Sequence, residues 1–219
     1  MKTSGNRAGS SQRHPIIEEY GRLAPSYDVK WSSYVEATTR ETLARLILRP
    51  GERLLDVGCG TGALLHPLSQ RYPEARLTGV DPVPEMLEVA RRRLPLEVDL
   101  HGGWAEQLPF GGAQFDVVVS CNAFHYFREP AAAVREMTRV LAPGGRLVIT
   151  DWCDDYLACR LCDLYLRLFN RAHVKIYSRQ DCLRLLREAG LRSVDVDRYK
   201  ISWLWGLMTA TAEIVVSPA

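Results

Sequence analysis

The residues best equipped for chemistry gather where a short apolar run, Leu54-Leu55-Asp56-Val57, meets Gly58-Cys59-Gly60-Thr61-Gly62. Glycines between a strand and a helix let a ligand touch the backbone at the helix start. Asp81, which lies 21 residues beyond Gly60, closes a second apolar run. A carboxylate at such a strand end can accept hydrogen bonds from both hydroxyls of a ribose. The glycines alone are compatible with a tight turn; with Asp81 they describe a pocket for an adenosine-type ligand.

Two details set the charge of that ligand. The G-x-G-x-G spacing is not the G-x-G-x-x-G of dinucleotide folds, and Asp56 stands where a pyrophosphate would be repelled. A carboxylate there suits a cation. S-adenosylmethionine, which carries an ammonium and a sulfonium and no phosphate, meets the condition. A candidate proton acceptor is His125, in Asn122-Ala123-Phe124-His125-Tyr126-Phe127, just past the fourth apolar run. It reads either as the base for an acceptor with an acidic proton or as a ring that packs over the loop. His173, flanked by Arg171 and Lys175, reads as a solvated basic turn or a contact for an anionic acceptor, while His14, His66 and His101 have no constellation. Cys153, Cys159 and Cys162 invite a thiophilic acceptor or, more plainly, act as small buried hydrophobes. Trp203 and Trp205, at alternate positions, are expected on one strand face in the core.

The elements that must position these residues follow from hydrophobic periodicity. Short apolar runs at Arg53–Val57, Arg76–Val80, Leu96–Leu100, Phe115–Ser120 and Arg146–Thr150 read as strands. Helical segments at Gly62–Arg71, Pro84–Arg93 and Pro130–Leu141 separate them, so the sheet is parallel. Two helices fit Ile16–Leu48, broken at Pro25. Beyond Asp151, Asp155–Asn170 and Arg179–Ala189 read as helices, and Leu191–Asp197 with Lys200–Val216 as an antiparallel strand pair. The expected plan is a disordered 1–13 and one domain over 14–219: a helical lid (14–50), a cofactor-binding core (51–151), substrate-side helices (152–190) and the strand pair (191–219).

Composition narrows the class without naming a partner. With 47% hydrophobic and 25% charged residues, the 219-residue chain is neither collagenous, coiled-coil nor wholly disordered. A formal net charge of +2 is far from that of a dedicated nucleic-acid binder. The six cysteines lack paired metal spacing, and no run reaches the ~20 apolar residues of a membrane span. A cytoplasmic location with reduced thiols is expected.

As a set, Asp56-Val57-Gly58-Cys59-Gly60-Thr61-Gly62, Val80-Asp81, Ala105-Glu106-Gln107-Leu108-Pro109-Phe110, Phe115-Asp116-Val117-Val118 and Leu141-Ala142-Pro143-Gly144-Gly145-Arg146-Leu147 resemble the class I S-adenosylmethionine-dependent methyltransferases. The nearest-looking branch is the small-molecule group that includes the quinone-biosynthesis C-methyltransferases. The resemblance implies an α/β, Rossmann-like fold: a seven-stranded, mostly parallel sheet with helices on both faces, the last strand antiparallel and an N-terminal helical lid. It implies that Gly58, Cys59 and Gly60 underlie the cofactor, with Asp56 toward the ammonium and Asp81 on the ribose. Pro82 and Met86 would flank the adenine, Ala105 would offer it a backbone N–H, and Cys121 and Asn122 would face the methionine part. Tyr20 and Tyr27 would cap the site, the latter by likeness of Ala24-Pro25-Ser26-Tyr27-Asp28 to the family's A-x-x-Y-D segment.

One departure stands out: relatives commonly carry Gly-Asp-Ala-Glu where this chain has Gly103-Trp104-Ala105-Glu106. Trp104 would then stack near or shield the adenine, and Glu106 is read as a carboxylate that binds local backbone. The implied activity is methyl transfer from S-adenosylmethionine to a small, partly hydrophobic acceptor, leaving S-adenosylhomocysteine, with no metal. The rivals are a methyltransferase acting on RNA or protein, a non-catalytic S-adenosylmethionine-binding partner protein, and an NAD-dependent oxidoreductase. Ser120-Cys121-Asn122-Ala123 lacks the N-P-P-Y-like sequence of base-amino methylation, and Tyr27-Asp28-Val29-Lys30 lacks a Tyr-x-x-x-Lys pair.

Overall fold

The computed structural model describes residues 14–170, 172–203 and 205–214; the expectation for 1–13 lies outside them. Seven strands form one sheet: β1 (Arg53–Val57), β2 (Arg76–Asp81), β3 (Asp99–Gly102), β4 (Phe115–Cys121), β5 (Leu141–Trp152), β6 (Arg192–Lys200) and β7 (Gly206–Glu213). Their order is β3-β2-β1-β4-β5-β7-β6. The first five are mutually parallel, and β7 runs antiparallel between β5 and β6. Crossovers are made by α4 (Leu65–Arg71), α5 (Pro84–Arg93) and α6 (Pro130–Val140), while α8 (Arg179–Glu188) leads into β6.

Side-chain alternation along the central strands explains the layers. Leu55 and Val118 point into one apolar cluster with Phe124, Met137 and Leu186. Leu54, Val117 and Val119 point into the other, with Leu65, Leu68 and Leu87. Both faces of the parallel strands are therefore buried, which is why they read as nearly unbroken apolar runs.

Several boundaries, and the placement of two tryptophans, differ from the sequence reading. The third strand begins at Asp99, because the Val98 N–H bonds back to the Pro95 carbonyl in a turn that leaves Leu96 96% exposed. The helix expected from Gly62 starts at Leu65, after the glycine turn. The fifth strand starts at Leu141: Phe115 pairs with Leu141 and Val117 with Arg146, so Pro143-Gly144-Gly145 forms an irregularity within the strand rather than a turn before it. The two tryptophans do not share a strand face. The hairpin closes at this point by an Ile201 N–H to Trp205 carbonyl bond, leaving Trp203 84% exposed while Trp205 packs on Trp152.

The N-terminal segment folds as α1 (Pro15–Leu23), a 3-10 turn at Ala24–Ser26, α2 (Tyr27–Lys30) and α3 (Ser32–Ala44). Pro25 sits in the 3-10 turn, so the two helices expected there become three short ones. Helix α7 (Leu157–Phe169) follows β5.

Candidate functional site

The carboxyl ends of β1, β2 and β4 meet at the point where strand order reverses, the position at which open α/β sheets bind ligands. The glycine loop is pinned there by its own backbone: the Gly58 and Cys59 N–H groups donate to the Val80 carbonyl at 2.8 and 3.1 Å. Gly58 has φ +78°, and a Cβ on it would lie 2.4 Å from the Cβ of Ala123, so only glycine fits. Gly60, at φ +52°, borders a cavity of about 330 Å³, and a Cβ there would meet no protein atom within 4 Å.

Two buried acids face this cavity. Asp81 accepts from the Gly60 and Val83 N–H groups, each at 2.9 Å, and so anchors the glycine loop to the end of β2. Burial pushes its carboxyl up to about 6, against the pull of those two donors. Asp56 is 2% exposed, and its Oδ1 is buried without a hydrogen-bond partner. Burial, with the charge of Asp81 added, pushes Asp56 up to about 8. A buried, unpartnered carboxylate oxygen in a cavity wall fits a cationic ligand and repels a phosphate.

The other expected binding residues border the same cavity. Tyr20 and Tyr27 from the lid, Pro82 and Met86 after β2, Cys59 from the loop, Trp104, Ala105 and Glu106 after β3, and Cys121 and Asn122 at the end of β4 all contribute to its wall. Glu106 also accepts from the backbone N–H of Arg128, 22 residues further along the chain, at 3.0 Å. Asn122, at φ +59°, spends its side chain on the lid: it accepts from Tyr34 at 2.8 Å and donates to Thr38 at 2.6 Å. The Cys59 thiol is raised well above its ordinary value by burial, which leaves it inert.

Residues 55–149, the strand–loop–helix core just described, match the family of the methyltransferase domain. This core is a class I methyltransferase domain. The chain is 35% identical over 163 residues to the Penicillium expansum O-methyltransferase cnsE, covering 72% of this chain and 58% of that protein. It is 34% identical over 144 residues to the demethylmenaquinone methyltransferase of Deinococcus radiodurans, covering 63% of this chain and 60% of that protein. The chain thus spans about 60% of the length of these relatives. A crystal structure of a SAM-dependent methyltransferase from Thermotoga maritima shares the fold, with a TM-score of 0.74 at 20% identity over 90% of this chain and 99% of that one.

In this methyltransferase domain His125 does not border the cavity. It is buried one ring away, 3.9 Å between centroids from Tyr126, which does border it. Its Nδ1 meets Asp151 Oδ1 at 2.7 Å, and its backbone N–H donates to Asp151 Oδ2 at 2.9 Å. Asp151 also accepts from the Trp152 N–H at 2.6 Å, and a carboxylate that only accepts places the His125 ring proton on Nδ1. The lone pair of His125 then resides on Nε2.

The sequence reading missed Asp151 and the groups around it. Trp152 stacks on His125 at 5.3 Å and donates its indole N–H to Tyr34, which in turn donates to Asn122. His173 is no solvated turn: it is buried, its Nε2 is 2.8 Å from Asp163, and its Nδ1 has no partner. Burial lowers its pKa. Spacing gave no hint of this, because Asp163 becomes its neighbour only when α7 folds back over residues 172–176. His14, given no role, tilts against Trp104 at 4.4 Å and borders the cavity.

Cys153 and Cys159 stay thiols. Burial raises both, Cys153 to about 12, and among the described residues no group of His, Cys, Asp and Glu is arranged to hold a metal ion. The lid is latched to the glycine loop by Asp28, which accepts from the Thr61 hydroxyl at 2.8 Å and pairs with Arg93. Tyr20 and Tyr126 meet through their hydroxyls over the same cavity.

Proposed function

We propose that the chain transfers a methyl group from S-adenosylmethionine to a small, partly hydrophobic acceptor, releasing S-adenosylhomocysteine. The observation that carries this reading is the unpartnered, buried Oδ1 of Asp56 in a wall shared with the glycine loop and Asp81. When bound, the cofactor supplies an electrophilic methyl on a sulfonium. Asp56 holds its ammonium, Asp81 its ribose hydroxyls through the lone pairs not used by Gly60 and Val83, and the Gly58–Gly60 backbone lets it lie against the chain. Pro82, Met86, Trp104 and Ala105 enclose the adenine, and Tyr20 and Tyr27 exclude water from above.

Methyl transfer is an in-line displacement, so the chain's main work is to fix the acceptor close to the methyl and keep the site dry. Where the acceptor must lose a proton, His125, held by Asp151 one ring behind the cavity wall formed by Tyr126, is the candidate to receive it. The rings of Tyr20, Tyr27 and Tyr126 that border the cavity suit an acceptor with an apolar body. The acceptor is a small molecule, and we place the chain in the cytoplasm; no described helix is long and apolar enough to cross a membrane.

Titration calorimetry with S-adenosylmethionine, S-adenosylhomocysteine and NADH tests the reading. Binding of the two adenosyl-sulfur ligands and not NADH is expected, and justifies an acceptor screen with methyl-labelled cofactor. NADH binding without either of the others would overturn it.

A further inference from the structure

Helix α7 presents its most apolar face outward. Leu157, Leu161, Tyr165 and Phe169 form one i, i+4 row, with Leu164 and Leu168 beside it, and all six are 58–72% exposed. The inward face is the more polar one: Cys159 and Asp163 are its buried residues, and Cys162 and Leu166 pack with Cys159 against Trp152 and Ile176. Scattered exposed leucines need no explanation, but a full-length apolar stripe on one helix does.

The size of the stripe favours a protein partner. Four leucines with about 60–120 Å² of apolar side chain each and two rings with about 150–250 Å², scaled by their exposure, offer on the order of 500 Å². That is most of the ~800 Å² per partner in a standard interface. Arg160 and Arg167, with side chains 57% and 56% exposed, stand beside it as a polar rim. Both are already neutralised, Arg160 by Asp154 at 3.5 Å and Arg167 by Asp163 at 3.7 Å, so α7 keeps no unpaired cation to hold anionic lipid headgroups. A ridge of i, i+4 side chains interdigitates with an identical ridge at the commonest crossing of globular helices. A formal net charge of +2 leaves two copies little mutual repulsion.

We propose that the outer face of α7 is the interface of a symmetric homodimer, stripe against stripe across a two-fold axis. The proposal stands independently of the methyl-transfer reading. Sedimentation velocity of the full chain from about 1 to 100 µM is expected to show a monomer–dimer equilibrium. The double variant Leu161→Glu/Leu168→Glu is expected to raise the dimer Kd at least ~100-fold, and Leu164→Arg to act in the same direction, each with an unchanged far-UV circular dichroism spectrum. Leu96→Glu, at an exposed leucine outside α7, is expected to leave the equilibrium as it is. A wild-type chain that stays monomeric throughout, or variants that dimerise as it does, would overturn the proposal. So would a monomer that floats with phosphatidylglycerol vesicles through this stripe.

Discussion

Replacing Asp56 by Asn should separate the cost of this carboxylate from its use. With its pKa pushed to about 8 in the folded chain, Asp56 is about nine-tenths protonated at pH 7. Binding a cationic ammonium must first remove that proton, at a cost of about 1.4 kcal/mol at pH 7. The affinity for S-adenosylmethionine should therefore rise about tenfold per pH unit from 6 toward 8. It should level off there, where Asp56 is ionised and the ligand's own amine, with an ordinary pKa of ~7.7–8.0, begins to lose its charge. Breaking a buried ion pair by removing one partner costs ~3–5 kcal/mol. Less the proton cost, Asp56→Asn should weaken binding at pH 7 by about 2–4 kcal/mol, roughly 30- to 1000-fold, and abolish the pH slope.

The same substitution should stabilise the ligand-free chain. A carboxyl whose pKa is raised on folding is ionised more readily in the unfolded state, so it lowers stability progressively as pH rises from about 4 to about 8. At pH 7 that amounts to about 4 kcal/mol, of which an unpaired buried amide returns ~1–3 kcal/mol. The net gain of about 1–3 kcal/mol should raise Tm by roughly 2–10 °C at pH 7, with no gain at pH 4. Calorimetry in two buffers of different ionisation enthalpy, with thermal melts at pH 4 and 7, measures all three effects. Affinity that is flat from pH 6 to 8, or an Asn variant that binds as tightly as the wild type, would refute the reasoning.

Asp81→Ala should abolish measurable cofactor binding and also lower Tm, because it orphans the Gly60 and Val83 N–H groups at ~1–3 kcal/mol each; an unchanged melt would show that the loop is anchored elsewhere. Asp28→Ala removes the lid's contacts with Thr61 and Arg93, and should speed cofactor dissociation about tenfold in stopped-flow measurements of tryptophan fluorescence, with Trp104 as the cavity-wall reporter. His125→Gln should leave the cofactor Kd within about twofold while lowering kcat. An unchanged kcat would leave His125 a packing residue.

The glycine-loop half of the candidate site was legible in the sequence because it is written locally. Strand, glycine turn and helix follow one another within residues 53–71, and Asp81 ends the strand that pairs directly with β1. The hydrophobic runs of β1, β2 and β4 are buried on both faces and so have no competing pattern. The boundaries that failed are those decided by neighbours: β5 begins at Leu141 because Phe115 is there to pair with it, and the hairpin at 201–205 takes both tryptophans out of the strands. The strand-end position of Asp81 is visible in the sequence, and only the fold reveals the two backbone bonds it makes within the structure.

The polar pairs beyond that loop are spread through the chain, and for that reason were not legible. His125 meets Asp151 because β4 and β5 are adjacent, and Asn122 meets Tyr34 because α3 crosses the end of β4. His173 meets Asp163 through the return of residues 172–176 to α7. These pairs are 10 to 88 residues apart in sequence, and each has a carboxylate or amide whose partner is chosen by packing alone. The two halves are joined at two adjacent residues: the Gly60 N–H is held by Asp81, and the Thr61 hydroxyl by Asp28 of the lid. Whatever orders the glycine loop from the cavity side therefore also fixes the partner of the lid's latch.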